Sequence, residues 1–382
     1  MLTIHVLVVD DSIVFRKLVS EVLSQIKGIE VIGVAGGGKT AIEKIKNLKP
    51  DLITLDIEMP DFNGFQVIEE INRLGIKTDI IMVSSLNSRA SKLTMKALEM
   101  GAFDFVLKPS KRTFEENKKE LLHELEKVIT VYQRRREIKE IFSSQKNIIA
   151  LRKKTPISEA KPLEEKEKKL GLSEKEPEEK VRNLFKPRMV LIGVSTGGPK
   201  ALSDLLPHLP NNLGVPVFIV QHMPPLFTKS LAENLNEKCA ISVKEAENAE
   251  EAQPNTAYLA PGGKQMKLVS TSKGGIGILI NDDPPERNCK PSANYLFRSA
   301  ASEFPGKSVV VILTGMGDDG TLGLKLLKRY TCNAIAQNEE TCVVFGMPKA
   351  AIETGLINSV LPLEKIPQAI LAALGKQKEQ TS

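Results

Sequence analysis

Side chains that could together perform nucleophilic chemistry lie in the second half of the chain, each at the end of a predicted strand. They are Ser195, His222 and the pair Asp318 and Asp319. A serine can act as a nucleophile, a histidine can remove its proton as a general base, and a carboxylate can fix the histidine tautomer. Spacing does not choose between Asp318 and Asp319, and one of them is expected to cap the helix that follows.

The serine lies in a turn, residues 193–197, which reads Gly-Val-Ser-Thr-Gly and satisfies the G-x-S-x-G pattern of strand, sharp turn and helix. Pro199 then opens a predicted helix. This geometry suits an exposed nucleophile, but it also suits a phosphate cradle or a plain tight turn. The order Ser, His, Asp differs from that of α/β-hydrolases, so the pattern does not place the domain in that fold.

Of the four histidines in the chain, His222 alone stands at a strand end in the domain of the serine. His5 falls in the first predicted strand, His123 on a charged helix, and His208 between two prolines. A purely structural histidine is the alternative to a base at position 222.

The first 110 residues alternate strand and helix patterns, which predicts a doubly wound parallel sheet with helices on both faces. In such sheets functional groups gather beyond the carboxyl ends of the strands. The predicted strands are residues 4–9, 31–35, 52–55, 80–83 and 103–107.

Five polar residues follow four of these strands: Asp10, Asp11, Asp56, Ser84 and Lys108. Clustered carboxylates repel one another unless a cation lies among them, and a site with only oxygen ligands favours Mg²⁺. A metal beside a lysine and a hydroxyl forms a phosphoryl-binding site, in which Asp56 is central enough to be the acceptor. The alternative is that acidic residues simply end strands and cap helices.

Residues 4–110 resemble the receiver domain of response regulators, through Asp10-Asp11-Ser, Leu-Asp56-Ile-Glu-Met-Pro, Val-Ser84-Ser and Lys108-Pro. The resemblance implies a flavodoxin-like fold and phosphorylation of Asp56 by a histidine kinase. It implies a set of Mg²⁺ ligands: Asp10, Asp11, Asp56 and the backbone carbonyl of Glu58. It also implies a switch of three residues: Ser84, Lys108 and the rotating aromatic Phe105.

Residues 188–361 resemble the protein-glutamate methylesterase domain of bacterial chemotaxis. The resemblance is carried by the serine turn, Gln-His222-Met-Pro-Pro, Tyr-Leu-Ala-Pro-Gly-Gly and Leu-Thr-Gly-Met316-Gly-Asp-Asp319-Gly. It implies a Rossmann-like fold and an esterase that needs no cofactor. The implied roles are nucleophile for Ser195, base for His222, orienting carboxylate for Asp319 and oxyanion-binding backbone for Met316. Asp318 is then left without a catalytic role.

The chain departs from the pattern of this family just before the Pro-Ser at residues 291–292. The family usually has His and Arg there, and an acid two residues after the Ser; this chain has Cys289, Lys290 and Asn294. Substrate contacts or loop structure are expected to differ here, while the catalytic residues are untouched.

The two resemblances imply phosphorylation-activated hydrolysis of glutamyl methyl esters on methyl-accepting chemoreceptors, with glutamine deamidation in some members. A chemotaxis histidine kinase is the implied phosphodonor, and the unphosphorylated receiver is expected to cover the active site. One rival is a phospho-regulated binding protein that has lost catalysis. A second is a DNA-binding response regulator, but no helix-turn-helix or basic recognition helix is evident.

The length and composition of the chain predict its domain organisation. The 382 residues, 41% hydrophobic, favour two domains, which we place at residues 1–130 and 186–375 on either side of a charged linker, residues 131–185. The net charge of +6 is not concentrated in one arm, and no nucleic-acid partner is expected. The four cysteines form no C-x-x-C pair. No signal peptide or membrane span is expected, which places the protein in the cytoplasm, in contact with the membrane only through receptors.

Overall fold

The computed structural model describes residues 3–60, 62–152 and 186–376, with the backbone alone from residue 138 to 152. Within these ranges the chain forms two α/β domains, each built on a parallel sheet, as the sequence predicts. The predicted linker falls mainly on residues that lie outside the described ranges. No helix in the described part of the chain has the length and apolar character that crossing a bilayer requires.

The first domain has five parallel strands: β1 Ile4–Val9, β2 Ile29–Ala35, β3 Leu52–Asp56, β4 Asp79–Ser84 and β5 Asp104–Leu107. Its helices are α1 Ile13–Leu23, α2 Gly38–Leu48, α3 Gly64–Leu74, α4 Ser88–Glu99 and α5 Phe114–Arg152. The strand order β2-β1-β3-β4-β5 is doubly wound. β1 and β3 are nearly continuous apolar runs because helices cover both faces of the sheet.

Side-chain caps fix where several of these helices begin. Ser12 Oγ accepts a hydrogen bond from the Phe15 N–H at 3.3 Å and so caps α1. Asn63 and Gln66 form a reciprocal capping box at the start of α3. Asn87 accepts from the Ala90 N–H at 2.7 Å and starts α4 beside the end of β4.

Helix α5 packs on the sheet of the first domain through a stripe of buried side chains: Leu121, Leu125, Ile129 and Tyr132. The Tyr132 hydroxyl also donates a hydrogen bond to the carbonyl oxygen of Asp51 at 3.1 Å. The helix therefore continues, packed on this domain, past the predicted boundary at residue 130. The domain boundaries themselves stay a prediction.

The second domain has strands β6 Met189–Val194, β7 Val217–Gln221, β8 Ser242–Glu245, β9 Thr256–Leu259, β10 Gln265–Ser270, β11 Ile276–Asn281, β12 Ser308–Ile312, β13 Asn333–Gln337 and β14 Ser359–Leu361. Its α-helices are α6 Gly198–Leu205, α7 Phe227–Asn236, α8 Ala293–Glu303, α9 Thr321–Leu327, α10 Met347–Glu353 and α11 Ile366–Ala373. Short 3₁₀ turns lie at Leu206–His208 and Leu363–Lys365.

The seven-stranded parallel sheet of this domain has the order β14-β13-β12-β6-β7-β9-β8. The chain builds outward from β6 through β7 and then returns to the other side of β6 with β12. This reversal creates a topological switch point, the place where ligands bind in open α/β sheets. The loops after β6, β7 and β12 carry Ser195, His222 and Asp319, so the sheet brings the three candidate loops side by side.

Two apolar segments of the second domain lie outside its main sheet. The apolar run at residues 276–280 is a strand, β11, but it pairs antiparallel with β10 outside the main sheet. A tight turn that includes Gly274 at φ 74° joins the two strands, and so short a connection permits only antiparallel pairing. Residues 343–345 form a loop with a single bridge from Phe345 to Gly315.

Candidate functional sites

The acidic site lies at the carboxyl ends of β1, β3 and β5. Lys108 Nζ lies 2.7 Å from Asp10 Oδ2 and 2.8 Å from Asp56 Oδ2. One carboxylate oxygen from each of Asp10, Asp11 and Asp56 falls within 4.8 Å of the others. Asp10 and Asp56 are buried and Asp11 is exposed, so the structure brings together the residues that the strand ends predict.

The electrostatics of this cluster fit a cation. Burial raises the pKa of Asp56 to about 6, against the opposing hydrogen bond and charge of Lys108, and the charge of Asp10 adds to the rise. Three carboxylates face one ammonium group, and all the donors are oxygens, which is the chemistry that Mg²⁺ requires. The Glu58 N–H donates to Asp56 Oδ1 at 3.3 Å, and the role of the Glu58 carbonyl stays a prediction.

The predicted switch residues are not all directed at Asp56. Ser84 Oγ accepts a hydrogen bond from Thr94 Oγ1 at 2.8 Å, which holds it toward α4. Phe105 stacks on Phe227 of the second domain, with ring centroids 4.6 Å apart and an interplanar angle of 12°. Among the contacts of the described residues, Lys108 is the one predicted switch residue that forms ion pairs in the acidic site.

The serine turn is built by close backbone packing. The Ser195 N–H donates to the Thr314 carbonyl at 3.0 Å, and Gly197 takes a positive φ of 78°. A Cβ on Gly198 would lie 1.8 Å from Gln221 Oε1, so only glycine fits there. The turn therefore depends on its glycines, as the motif predicts.

Gln221 links the main chains of the serine turn and the histidine loop, a role that the sequence analysis does not predict. Its buried Nε2 donates to the carbonyl oxygen of Ser195 at 3.0 Å and to that of His222 at 3.2 Å. A polar residue that ends an otherwise apolar buried strand was the available signal, since a buried amide needs hydrogen-bond partners.

His222 and Asp319 form the assembled part of the candidate active site. His222 Nε2 lies 2.8 Å from Asp319 Oδ2. Asp319 is buried, and its oxygens accept further hydrogen bonds from four groups: Ser292 Oγ and the N–H groups of Ala293, Asn294 and Gly320. Asp318, the other candidate, is exposed and pairs with Arg287 instead.

The pair is electrostatically coupled. Burial acts to lower the pKa of His222, but the hydrogen bonds to Asp319 and Cys289 outweigh it and raise the pKa to about 9. Burial acts to raise the pKa of Asp319, yet the hydrogen bond and charge of His222 and the N–H donors of Asn294 and Ala293 hold it below its ordinary value. The pair with Asp319 stabilises the protonated imidazole, so at neutral pH the minor neutral form of His222 is the one that can act as a base.

Ser195 and His222 line one small cavity of about 60 Å³ between the domains. Among the residues that the structure describes, no group makes a hydrogen bond with Ser195 Oγ. The second ring nitrogen of His222, Nδ1, faces Cys289 Sγ at 3.9 Å. The candidate nucleophile and base are thus brought to the same cavity without the bond that would join them.

Met316 lies in the loop after β12 beside the serine. A Cβ on Gly315 would lie 2.7 Å from Ser195 Cβ, so the two loops touch. The Gly315 carbonyl accepts from the Gly346 and Met347 N–H groups at 3.0 and 2.8 Å. No group in the described part of the chain accepts a hydrogen bond from the Met316 N–H, which leaves that donor available near Ser195.

The three residues that depart from the family pattern make different contacts. Lys290 Nζ forms an ion pair with Asp282 Oδ1 at 2.6 Å. Asn294 is buried, and its Oδ1 accepts from the Gly323 N–H at 2.9 Å, so the amide joins α8 to α9. Cys289 contacts His222 directly.

The first domain closes the cavity from the other side. Asp104 and Phe105 line it together with Ser195 and His222. Thr196 Oγ1 donates to Asp104 Oδ2 at 3.0 Å. Burial raises the pKa of Asp104 to about 6 against the hydrogen bonds of the Phe105 N–H and Thr196.

Polar and apolar contacts hold the two domains together beyond the cavity. Glu99 accepts from Ser203 Oγ at 2.6 Å and pairs with Lys238 at 2.6 Å. Ser91 Oγ lies 2.7 Å from Ser230 Oγ, and both residues are buried. A buried apolar cluster continues from the first domain into the second. The contact surface of α4 and β5 is therefore fitted to α6 and α7.

Family comparisons agree with this architecture. Residues 6–117 match the response regulator receiver domain, and residues 190–370 match the CheB methylesterase family. The class is thus a response regulator whose receiver precedes a methylesterase domain.

The full-length relatives identify the family. A protein of Desulfotalea psychrophila (strain LSv54 / DSM 12343) named protein-glutamate methylesterase/protein-glutamine glutaminase is 48% identical over 97% of this chain and 98% of its own length. A protein of the same name from Bacillus subtilis (strain 168) is 41% identical over 98% and 99%. The crystal structure of the Thermotoga maritima CheB methylesterase catalytic domain is 43% identical, with a TM-score of 0.48, over 49% of this chain and 98% of that one. The chain belongs to the family of CheB protein-glutamate methylesterases.

Proposed function

We propose that this chain hydrolyses glutamyl γ-methyl esters on chemoreceptors, under the control of phosphorylation at Asp56, and that it deamidates receptor glutamines by the same attack. The observation that carries the proposal is the His222–Asp319 contact of 2.8 Å in the cavity that Ser195 also lines. Family membership supports the substrate class. The cytoplasm is the compartment that this activity implies.

In the proposed reaction Ser195 Oγ attacks the ester carbonyl carbon. Because Asp319 holds Nε2 of His222, the nitrogen that takes the serine proton is Nδ1. The carbonyl oxygen becomes an oxyanion, which the Met316 N–H, without an acceptor among the described residues, would stabilise. The imidazolium then returns the proton to the methoxy oxygen, so methanol leaves and an acyl-enzyme remains.

Water completes the cycle. His222 Nδ1 removes a proton from the water that attacks the acyl carbon, and Ser195 Oγ leaves with that proton, which yields a glutamate side chain. With a glutamine substrate the leaving group is ammonia. No cofactor takes part in these steps.

The receiver is proposed to control access to this site. Asp10, Asp11, Asp56 and the carbonyl of Glu58 would hold Mg²⁺, which when bound offsets the charge of an incoming phosphoryl group. Ser84 would leave Thr94 to contact the phosphoryl group together with Lys108. Phe105 would then withdraw from Phe227, which shifts the population from the docked to the open state.

The direct test removes the nucleophile. Ser195→Ala is expected to lower methanol release from methylated receptors by at least about 10³-fold, because no oxygen remains to attack. Ser272→Ala is the matched control, since Ser272 is exposed in the turn between β10 and β11. A serine-reactive phosphonate should label the wild type and the control but not Ser195→Ala. Near-normal methanol release by Ser195→Ala would refute the proposed mechanism and favour the binding-protein alternative.

A further inference from the structure

Cys289 and His222 form a nitrogen–sulfur pair that the proposed hydrolysis does not use. Cys289 Sγ lies 3.9 Å from His222 Nδ1. One atom from each of His222, Cys289 and Asp319 falls within 4.8 Å of the others. Both His222 and Cys289 are partly exposed, so solutes can reach them.

Asp319 acts in this group as a support for the ring. Its Oδ2 already accepts from His222 Nε2 at 2.8 Å and from the Ala293 N–H at 2.6 Å, and its Oδ1 accepts from three other donors. The carboxylate therefore fixes Nε2 as the protonated nitrogen when the ring is neutral. The lone pair of Nδ1 is then directed toward Cys289, which is the carboxylate–histidine–metal arrangement found in metalloproteins.

The separation of the two remaining donors fits a metal ion. Zinc lies about 2.0–2.1 Å from histidine nitrogen and about 2.3 Å from cysteine sulfur, so one ion can bridge donors up to about 4.4 Å apart. The observed 3.9 Å lies within that span. Imidazole and thiolate together select soft or borderline ions rather than Mg²⁺.

We propose that Cys289 Sγ and His222 Nδ1 bind Zn²⁺ or a similar thiophilic divalent cation, and that the bound ion reversibly inhibits the hydrolase. Binding replaces the thiol proton of Cys289 and, when the ring is protonated, the Nδ1 proton of His222, and both protons are released to the solvent. The ion then occupies the nitrogen that the reaction needs as its base. The inhibition part rests on the proposed function, whereas the binding part does not.

The binding part is tested with Co²⁺ as a spectroscopic probe on the full chain. Wild type should show a thiolate-to-Co²⁺ charge-transfer band that Zn²⁺ displaces, and Cys289→Ala should lack it. Cys239→Ala is the matched control, because Cys239 is also a partly buried cysteine but lies at the end of α7. The acidic site cannot produce this band, since its ligands are oxygens. An unchanged band in Cys289→Ala, or no band in the wild type, would overturn the proposal.

The inhibition part is tested by Zn²⁺ titration of methanol release, with each variant normalised to its own metal-free rate. Wild type and Cys239→Ala should be inhibited and then recover on adding a chelator, while Cys289→Ala should need at least about tenfold more Zn²⁺, the effect of losing about 1.4 kcal/mol of binding. Equal sensitivity of Cys289→Ala would contradict the proposal. If no form hydrolyses esters but the Co²⁺ band follows Cys289, the proposed function fails and the metal site stands.

Discussion

The two candidate sites of this chain differ in how completely they are assembled. In the acidic site, Lys108 already joins Asp10 and Asp56 across three strand ends. In the hydrolase site, Asp319 holds His222, but Ser195 Oγ has no hydrogen-bond partner among the described residues. Both sites lie at the carboxyl edge of a parallel sheet, so the fold alone does not explain the difference.

Under the proposed function, the difference follows from what each site would control. A phosphoryl acceptor has to be ready whenever a donor arrives, and a buried, charge-balanced cluster provides that. A hydrolase under control needs one contact that the resting state withholds. Here the missing contact is the one between Ser195 and His222, in a cavity that Asp104 and Phe105 of the first domain help to line.

The largest effect is expected from a substitution that removes the contact between His222 and Asp319. Asp319→Asn should lower turnover by about 10⁴-fold, because an amide favours the wrong imidazole tautomer. It also cannot accept every hydrogen bond that this buried carboxylate receives. Methanol release and thermal unfolding should be measured together. Asp318→Asn is the control, because its surface pair with Arg287 contributes at most about 1 kcal/mol; a larger loss in Asp318→Asn would reverse the assignment.

The second largest effect is expected from a substitution of Asp56 in the acidic site. Asp56→Asn should remove all stimulation of methanol release by an acyl phosphate donor, because the amide cannot accept the phosphoryl group. Chelation of Mg²⁺ should remove the stimulation of the wild type in the same assay. Asp204→Asn, which alters an exposed pair with Lys200 on α6, should stay fully stimulated. Stimulation that survives in Asp56→Asn would disprove the phosphorylation switch.

The third effect is expected from a substitution that weakens the contact between the two domains at Phe105. Phe105→Ala should raise the activity of the unphosphorylated chain by up to about tenfold, since an aromatic pair is worth about 0.5–1.5 kcal/mol beyond its area. Phe114→Ala, at the exposed start of α5, should leave this activity as it is. Unphosphorylated activity at or below the wild-type level in Phe105→Ala would argue against a closed docked state.

The smallest effect is a pH dependence of docking through Asp104. Its pKa is about 6 in the docked state, whereas a free aspartate titrates near about 3.9. The docked state therefore binds the proton more tightly, and docking strengthens as pH falls through 6 toward the ordinary value. The ratio of unphosphorylated to phosphorylated activity should fall a few-fold from about pH 7 to about pH 5. Asp104→Asn should flatten this ratio, and a slope that persists in the variant would assign the effect to another group.

Much of both sites could be predicted because parallel strands place their carboxyl ends along one edge. Polar residues after apolar runs, such as Asp56 and His222, are visible in the sequence, and the sheet then converts order along the chain into proximity. The alternation of strand and helix patterns along the chain also predicts the α/β class.

Contacts between distant segments could not be predicted in the same way. The burial of Asp319 beside His222 depends on donors from the start of α8, and residue spacing carries no information about them. The hydrogen bond from Thr94 to Ser84 and the stacking of Phe105 on Phe227 depend on packing between elements. The approach of Cys289 to His222 depends on the loop after β11, for which the sequence offered no pattern.

The amide of Gln221 also affects how quickly the enzyme can become active. Because one Nε2 group donates to the carbonyls of both Ser195 and His222, it fixes the distance between their main chains. With the imidazole held by Asp319, the Ser195 hydroxyl can then approach it by turning about its own side-chain bond, a motion of about picoseconds to nanoseconds where a residue is exposed. Once the domains part, competence should follow without any loop having to refold, and the slow event in switching this enzyme on should be the parting itself.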